Sequence, residues 1–292
     1  MTKSIIAVLI SIVSIQFGAT AAKSLFPLVG PLEATLLRLG IASLILLLFL
    51  PRKKGRIKKE DRIPLLGYGT SLGFMNICFY LALAKIPLGI AVGLEFIGPL
   101  AVALLASQKL ADLIWAILAV VGILLIVPSG PLSTTESLDP MGIAFALSAG
   151  FFWALYIVFG KKVATTIEAR KATLVGMLVA TTVVLPAGVV HADLGSLTPK
   201  ALFLAGIVAL LSSALPYTLE MIALQKIPAK TFGILMSLEP AVAALCGLTF
   251  LREQLSWSQW SAIGCIMIAS LGSTLSMNTE RKKKVPLTAA QV

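Results

Sequence analysis

The sequence predicts an all-α, polytopic membrane protein of ten transmembrane helices, built as two five-helix repeats of inverted topology. Three observations lead there. With 58% hydrophobic residues, 13% charged residues and a mean hydropathy of +0.97, the 292-residue chain is too apolar for an ordinary water-soluble domain. The stretch Leu81 to Leu104, LALAKIPLGIAVGLEFIGPLAVAL, recurs without a gap at an offset of 141 as Ile222 to Leu245, IALQKIPAKTFGILMSLEPAVAAL. The 24 lysines and arginines sit almost wholly in short loops, the pattern of a topology signal rather than of a nucleic-acid groove, despite a net charge of +11.

Ten spans follow from about 20 residues per helix, with Pro, Gly and charge clusters marking the breaks. The first, 4–22, begins after Lys3 and runs apolar to Lys23 apart from Gln16. Its Ala19-Thr20-Ala21 also has the form of a signal-peptide cleavage site, but Gln16 and the spans that follow favour a retained helix. The second, 31–50, opens at Gly30-Pro31 and ends before the basic loop Arg52 to Arg62. The third and fourth, 64–84 and 88–106, open at Pro64 and Pro87 and are parted by Lys85. The fifth, 111–128, completes the first copy, and the polar join Ser129 to Asp139 has no basic residue. The second copy spans 140–160, 171–190, 200–224, 229–250 and 256–277, followed by a basic tail over 278–292. Runs of this length are helices, not the roughly ten-residue alternating strands of a membrane barrel.

With the N-terminus in the cytoplasm, 19 basic residues fall inside and four (Lys23, Lys85, Lys200 and Arg252) outside, leaving Arg38 within a span. Both termini are therefore expected in the cytoplasm. The first spans of the copies also correspond, at an offset of 138: Lys23 falls on Lys161, and Ala34-Thr35-Leu36 on Ala172-Thr173-Leu174. Five spans per copy is odd, so the second copy must be upside down relative to the first. Two half-units so arranged can exchange shapes, which is the basis of alternating access around a site near the midplane.

Polar residues inside the spans mark the candidate site. Glu95 and Glu239 lie near mid-depth, one in each copy, where ionisation costs several kcal/mol without a partner or water. They align with Met236 and Gly98 respectively, about one helical turn apart on a common frame, and so are expected on one face. Structural glue is the plain alternative; a substrate-binding or proton-coupling role is the sharper one. Arg38 either snorkels to the interface or pairs inward with a Glu or a substrate carboxylate; its repeat counterpart is Gly176. Glu220 lies near the inner end of its span. Gln16, Asn76, Tyr80, Trp153, Tyr156 and Tyr217 are candidates to face a cavity, against a reading as packing. Pro99, Pro240 and Pro216 are expected to kink their helices, the first two freeing the carbonyls of Glu95 and Met236. The pairs Gly69/Gly73 and Gly89/Gly93 read as close helix contacts.

Enzyme signatures are absent: no phosphate-cradling loop, no paired metal-binding histidines, and one histidine, His191, at a span end. Cys78, Cys246 and Cys265 all fall in apolar segments without metal or disulfide spacing. No cofactor or metal is expected. The partners are a small-molecule substrate, protons and the bilayer, with no nucleic acid and an open oligomeric state.

Ten spans in two inverted copies resemble the EamA-domain branch of the drug/metabolite transporter superfamily. More narrowly, SerIleGlnPheGlyAla at 14–19, AlaLysSerLeuPhePro at 22–27, ProLeuGlyIleAlaVal at 87–92, LeuGluPheIleGlyProLeuAlaValAla at 94–103, LeuProTyrThrLeuGluMetIleAla at 215–223 and SerLeuGluPro at 237–240 are similar to the bacterial threonine/homoserine exporter family. The resemblance implies export of small neutral amino acids across the inner membrane in exchange for protons, and brings no residue roles with it. A zwitterion needs an anion for its ammonium, here Glu95 or Glu239, and a donor for its carboxylate, here Arg38 or helix-end amides. The alternatives are a related carrier of another metabolite, an aromatic amino acid or a drug, and a non-transporting membrane protein such as a lipid scramblase.

Overall fold

A computed structural model describes residues 2–49, 57–105, 113–126, 138–190, 195, 197–224, 226–227 and 229–283. Among them there is no strand. The helices are α1 (Thr2–Val29), α2 (Pro31–Phe49), α3 (Lys59–Leu83), α4 (Leu88–Glu95), α5 (Ile97–Leu105), α6 (Leu113–Ile126), α7 (Pro140–Ala164), α8 (Ala169–Val190), α9 (Pro199–Ala209), a π-helical turn (Leu210–Ala214), α10 (Leu215–Leu224), α11 (Ala229–Met236), α12 (Glu239–Phe250) and α13 (Trp257–Lys283). Six helical stretches are long and apolar enough to cross a membrane: Thr2–Val29, Pro31–Phe49, Lys59–Leu83, Pro140–Val163, Arg170–Val190 and Pro199–Glu220. Shorter apolar helices cover Leu88–Val102, Leu113–Leu125 and Glu239–Phe250. Residues 52–56 of the 52–62 loop, Lys109, the 129–137 part of the join, His191 and the end of the tail lie outside the described residues.

The helices overrun the expected spans at their polar ends. α1 continues seven residues past Ala22 to Val29, and α3 begins at Lys59 rather than at 64. Hydropathy marks where apolar solvent ends, whereas Lys, Glu and Arg remain good helix formers beyond it. At the α1–α2 corner one residue, Gly30, makes the turn. Its φ of 79° suits glycine, and its N–H donates to the Phe26 carbonyl at 2.7 Å.

Three expected kinks are larger distortions. The segment expected as one span at 88–106 is two helices meeting at Phe96, three residues before Pro99, and that at 229–250 is broken at Ser237–Leu238, just before Pro240. Each proline removes the N–H that would bind the carbonyl four residues back, so the break falls where the ladder loses that bond. Pro216 follows the π-helical turn instead of a simple bend. An extra residue per turn absorbs the missing donor.

Two buried clusters organise the packing. The larger joins α1, α3, α4, α7, α9 and α12 around Ile12, Leu25, Tyr80, Leu83, Leu88, Ile90 and Leu94; the second joins α2, α3 and α8 around Leu39, Leu72 and Met177. α3 lies along α7 and α8, α1 along α9, the π turn and α10, α4 against α12, and α6 against α13. Large apolar side chains such as Leu48, Phe49, Val190, Phe203 and Trp257 are exposed on the outside. That surface is costly in water and is solvated by lipid tails. Gly69 and Gly73 form the α3–α8 contact: a Cβ at Gly69 would lie 2.5 Å from Val179 Cβ and 2.8 Å from the Gly176 carbonyl. Gly89 is tight against Ala244 of α12, whereas a Cβ at Gly93 would meet only ordinary contacts.

At the start of α7, Asp139 caps the helix by accepting from the Met141 N–H at 2.8 Å and pairs with Lys85 at 2.7 Å. The Lys85 bond first, and the Met141 N–H second, hold its carboxyl below the usual aspartate range. The depressed group adds stability at neutral pH that is lost as pH falls through its lowered value. Asp139→Asn should thus flatten the acid limb of a stability–pH profile, and an unaltered limb would refute this. Gly69→Val should cost about 1–3 kcal/mol by overpacking, while Gly206→Ala, whose Cβ meets nothing within 4 Å, should be neutral or stabilising. Thermal unfolding in detergent measures both.

Candidate functional site

The polar residues predicted inside spans converge at the meeting of α1, α2, α3, α4, the π turn, α10 and α12. Arg38 is 3% exposed, so its side chain turns inward rather than snorkelling. Its guanidinium carbon lies 4.7 Å from the centre of the Tyr80 ring, a cation–π contact, and Nη1 donates to Ser212 Oγ at 3.2 Å. Ser212 Oγ in turn donates to the Val208 carbonyl at 2.7 Å. Glu95, the last residue of α4, is 7% exposed and within electrostatic reach of Arg38.

Glu239, the first residue of α12, is 5% exposed and accepts from Gln16 Nε2 at 3.2 Å. It lies within electrostatic reach of both Glu95 and Glu220. The two acids expected on one face thus share one interior with a third. Glu220, half-buried on α10, accepts from Ser11 Oγ at 2.6 Å.

The close approach of α1 to the π turn has a simple cause. Gly18 faces Ser212, and a Cβ there would lie 2.6 Å from Ser212 Cβ and 2.7 Å from its backbone nitrogen. One and two turns away, Ser14 donates to the Leu211 carbonyl at 2.6 Å and Ser11 to that of Pro216 at 3.4 Å. The Ser14 hydroxyl satisfies a carbonyl that is left without a donor because the Leu215 N–H bonds Leu210 and Pro216 has no N–H.

The remaining candidates make contacts of their own. Asn76 donates to the Leu72 carbonyl at 2.7 Å and interacts with the Tyr217 hydroxyl. Tyr156 stacks on Tyr68 at 4.7 Å with a 3.1 Å hydroxyl–hydroxyl bond, and Trp153 packs edge-on against Phe96 at 5.4 Å. Tyr68, Ser11, Ser14, Ser212, Ser213 and Glu33 are buried or bonded polar groups that the sequence reading missed. The heptad spacing of Ser4, Ser11 and Gly18 on one face of α1 was a usable signal. Tyr68 fills the space at Gly176, the repeat counterpart of Arg38. The position that aligns with Arg38 is thus a glycine covered by a ring from α3.

Several buried atoms here have no hydrogen-bond partner among the described residues: Arg38 Nε and Nη2, Tyr80 Oη, Ser213 Oγ, Gln16 Oε1 and Glu239 Oε2. An unpaired buried polar atom costs about 1–3 kcal/mol, so such a group of them is not a packing solution. Arg38 presents two donors, whereas Gln16 and Glu239 present two acceptors. That complement matches a carboxylate at one end and an ammonium at the other.

A model of the EamA-like transporter family matches this chain twice, over residues 2–128 and 140–275. The threonine/homoserine exporter RhtA of Escherichia coli K12 is 47% identical over 281 residues, covering 96% of this chain and 94% of that protein. RhtA of Salmonella typhimurium LT2 is 48% identical over the same coverage. A crystal structure at 16% sequence identity superposes with a TM-score of 0.63 over 93% of this chain and 98% of the other, a likeness of fold.

The Ser11–Glu220 bond is open to direct test. Ser11→Ala strips a carboxylate of its donor and should lower the unfolding free energy by about 1–3 kcal/mol. Adding Glu220→Leu should recover most of that, because both partners are then apolar. Equal losses in the single and double variants would show that the bond contributes nothing.

Proposed function

This chain belongs to the EamA-like transporter family, and we propose that it exports small neutral amino acids of the threonine and homoserine type across the bacterial inner membrane in exchange for protons. The observation that carries this reading is the burial, within one set of packed helices, of unpaired Arg38 donors and of unpaired Gln16 and Glu239 acceptors. Near-full-length identity of 47% to a threonine/homoserine exporter supports the same substrate class.

The architecture we propose is ten spans in two inverted copies, residues 1–128 and 140–277, with both termini cytoplasmic. Helix packing supports it. Under the sequence repeat, α1 corresponds to α7, α2 to α8, α3 to α9–α10, α4–α5 to α11–α12 and α6 to α13. The α3–α7 contact then maps onto that of α1 with α9–α10, and α3–α8 onto α2–α9. The contacts α2–α8 and α6–α13 map onto themselves, and α5–α7 maps onto α1–α12. A two-fold axis in the membrane plane has this property.

In this mechanism Arg38 Nε and Nη2 take the substrate carboxylate as a fork, with Glu95 as the counter-charge that Arg38 faces when the substrate leaves. Glu239 Oε2 and Gln16 Oε1 take the ammonium. A proton and an ammonium compete for the one Glu239 carboxylate, so the carrier reorients with either but not both. That exclusion is what exchange requires. Tyr80 and Ser213 hydroxyls remain for a substrate hydroxyl.

The test is threonine and homoserine flux in reconstituted vesicles under an imposed pH gradient. Glu239→Gln should abolish gradient-driven flux, by about a hundredfold or more, since neither ammonium nor proton finds its charge. Glu95→Gln should raise the half-saturating concentration while leaving flux coupled to the gradient. Undiminished coupling in the Glu239 variant would sink the assignment, and no flux of either amino acid by a folded protein would sink the substrate class.

A further inference from the structure

A second polar cluster lies away from the central site, at the corner between α3 and α4. Lys23 Nζ, on α1, meets Glu253 Oε1 at 2.5 Å and donates to the Ile86 carbonyl at 3.1 Å. The other oxygen of Glu253 accepts from the Leu88 N–H, the first residue of α4, at 2.8 Å. Both side chains are largely covered, at 20% and 14% exposure, so water and salt screen the pair weakly.

The backbone is shaped to deliver this carboxylate. Arg252 adopts φ = 57°, a left-handed conformation disfavoured for a side chain of its size, and the next N–H, that of Glu253, donates to the Gly247 carbonyl at 3.0 Å. Glu253 Oε2 occupies the space that a side chain at Gly247 would fill. A solvated surface acid requires neither feature.

What Glu253 joins gives the cluster its meaning. α4 runs from Leu88 at the cluster to Glu95 at the site, eight residues or about 12 Å. α12 runs from Glu239 at the site to Phe250, three residues before Glu253. The two helices pack together, with Gly89 tight against Ala244. The cluster therefore ties together the far ends of the two helices whose near ends bear the two acids, and fastens α1 to both. Its repeat counterpart behaves differently: Lys161, near the end of α7, is exposed.

We infer that Glu253 and Lys23 form a positioning clamp that holds α4 and α12, and hence Glu95 and Glu239, in the state closed toward the Lys23 face, and that this clamp must part when the carrier opens there. The inference rests on the alternating-access reading above. Opening on the Lys23 face separates α1 and the α3–α4 corner from the segment after α12, and the ion pair and the Leu88–Glu253 bond are polar contacts across that line. Breaking it leaves the site's own groups in place while shifting the population of the two states.

The decisive quantity is the ratio of half-saturating threonine concentrations offered from the two faces of vesicles of fixed protein orientation. Lys23→Gln and Glu253→Gln should each lower the value on the Lys23 face and raise it on the other, moving the ratio about tenfold. The double variant should move it no further, and Lys23→Arg should restore it. A loss of folded protein alone would change flux from both faces equally. Lys23→Gln leaves Glu253 bonded to Leu88, so it decides the matter if Glu253→Gln fails to fold. A ratio within twofold of the unaltered protein in Lys23→Gln overturns the clamp. If the unaltered protein moves no threonine, the transport reading has failed instead. The clamp is then judged by labelling of buried Cys246, next to Gly247, with a membrane-impermeant thiol reagent in a Cys78→Ser/Cys265→Ser background. A tenfold faster rate in Lys23→Gln supports it and an unchanged rate overturns it.

Discussion

Arg38 is the constraint around which the rest of the fold is arranged. An arginine keeps its charge at any pH a cell meets, and in hydrocarbon a bare charge costs many kcal/mol. The chain meets that cost with a ring face from α3, a hydroxyl from the π turn and a carboxylate at the end of α4. Three separate segments must therefore reach one point. The irregularities of the fold, a π turn and two broken helices, are how straight helices are brought to it.

Those irregularities are affordable because small and hydroxyl-bearing residues stand beside them. Gly18 lets α1 touch the π turn, and Ser14 takes its loose Leu211 carbonyl. At the other break, Gly150 of α7 lies against the Glu95 carbonyl, where a Cβ would come within 2.7 Å. Close approach and backbone satisfaction are the same requirement in an apolar solvent.

The two short helices α4 and α12 connect site and surface. Each bears an acid at the centre, and their far ends lie at or within three residues of the Lys23–Glu253 cluster. A rigid rod held at both ends suits a carrier with two discrete arrangements better than one with a continuum. The aligned stretches differ at the site, with Arg38 in one and Gly176, covered by Tyr68, in the other.

Much was legible in the sequence. Apolar runs of bilayer length, the recurrence of Leu81–Leu104 at Ile222–Leu245, and acids stranded within them pointed to helices, a duplication and a buried polar site, because each is a local property of composition and spacing. Arg38, Glu95, Gln16 and Glu239 stood out for the same reason: a polar group in an apolar run is conspicuous. What the sequence left open is who faces whom. Serine in a helix is unremarkable until a carbonyl across the interface needs it, so Ser11, Ser14 and Ser212 were passed over. Glu253 looked like an ordinary loop acid until packing set it against Lys23 and Leu88. Likewise a proline announces a missing donor, but whether the helix bends, breaks or admits a π turn depends on what the neighbouring helix offers the freed carbonyl. Periodicity and hydropathy determined which segments are helices, while pairings between residues as far apart as 223 positions were decided only by the tertiary fold, since partner identity in a packed interior depends on three-dimensional register that no local pattern encodes.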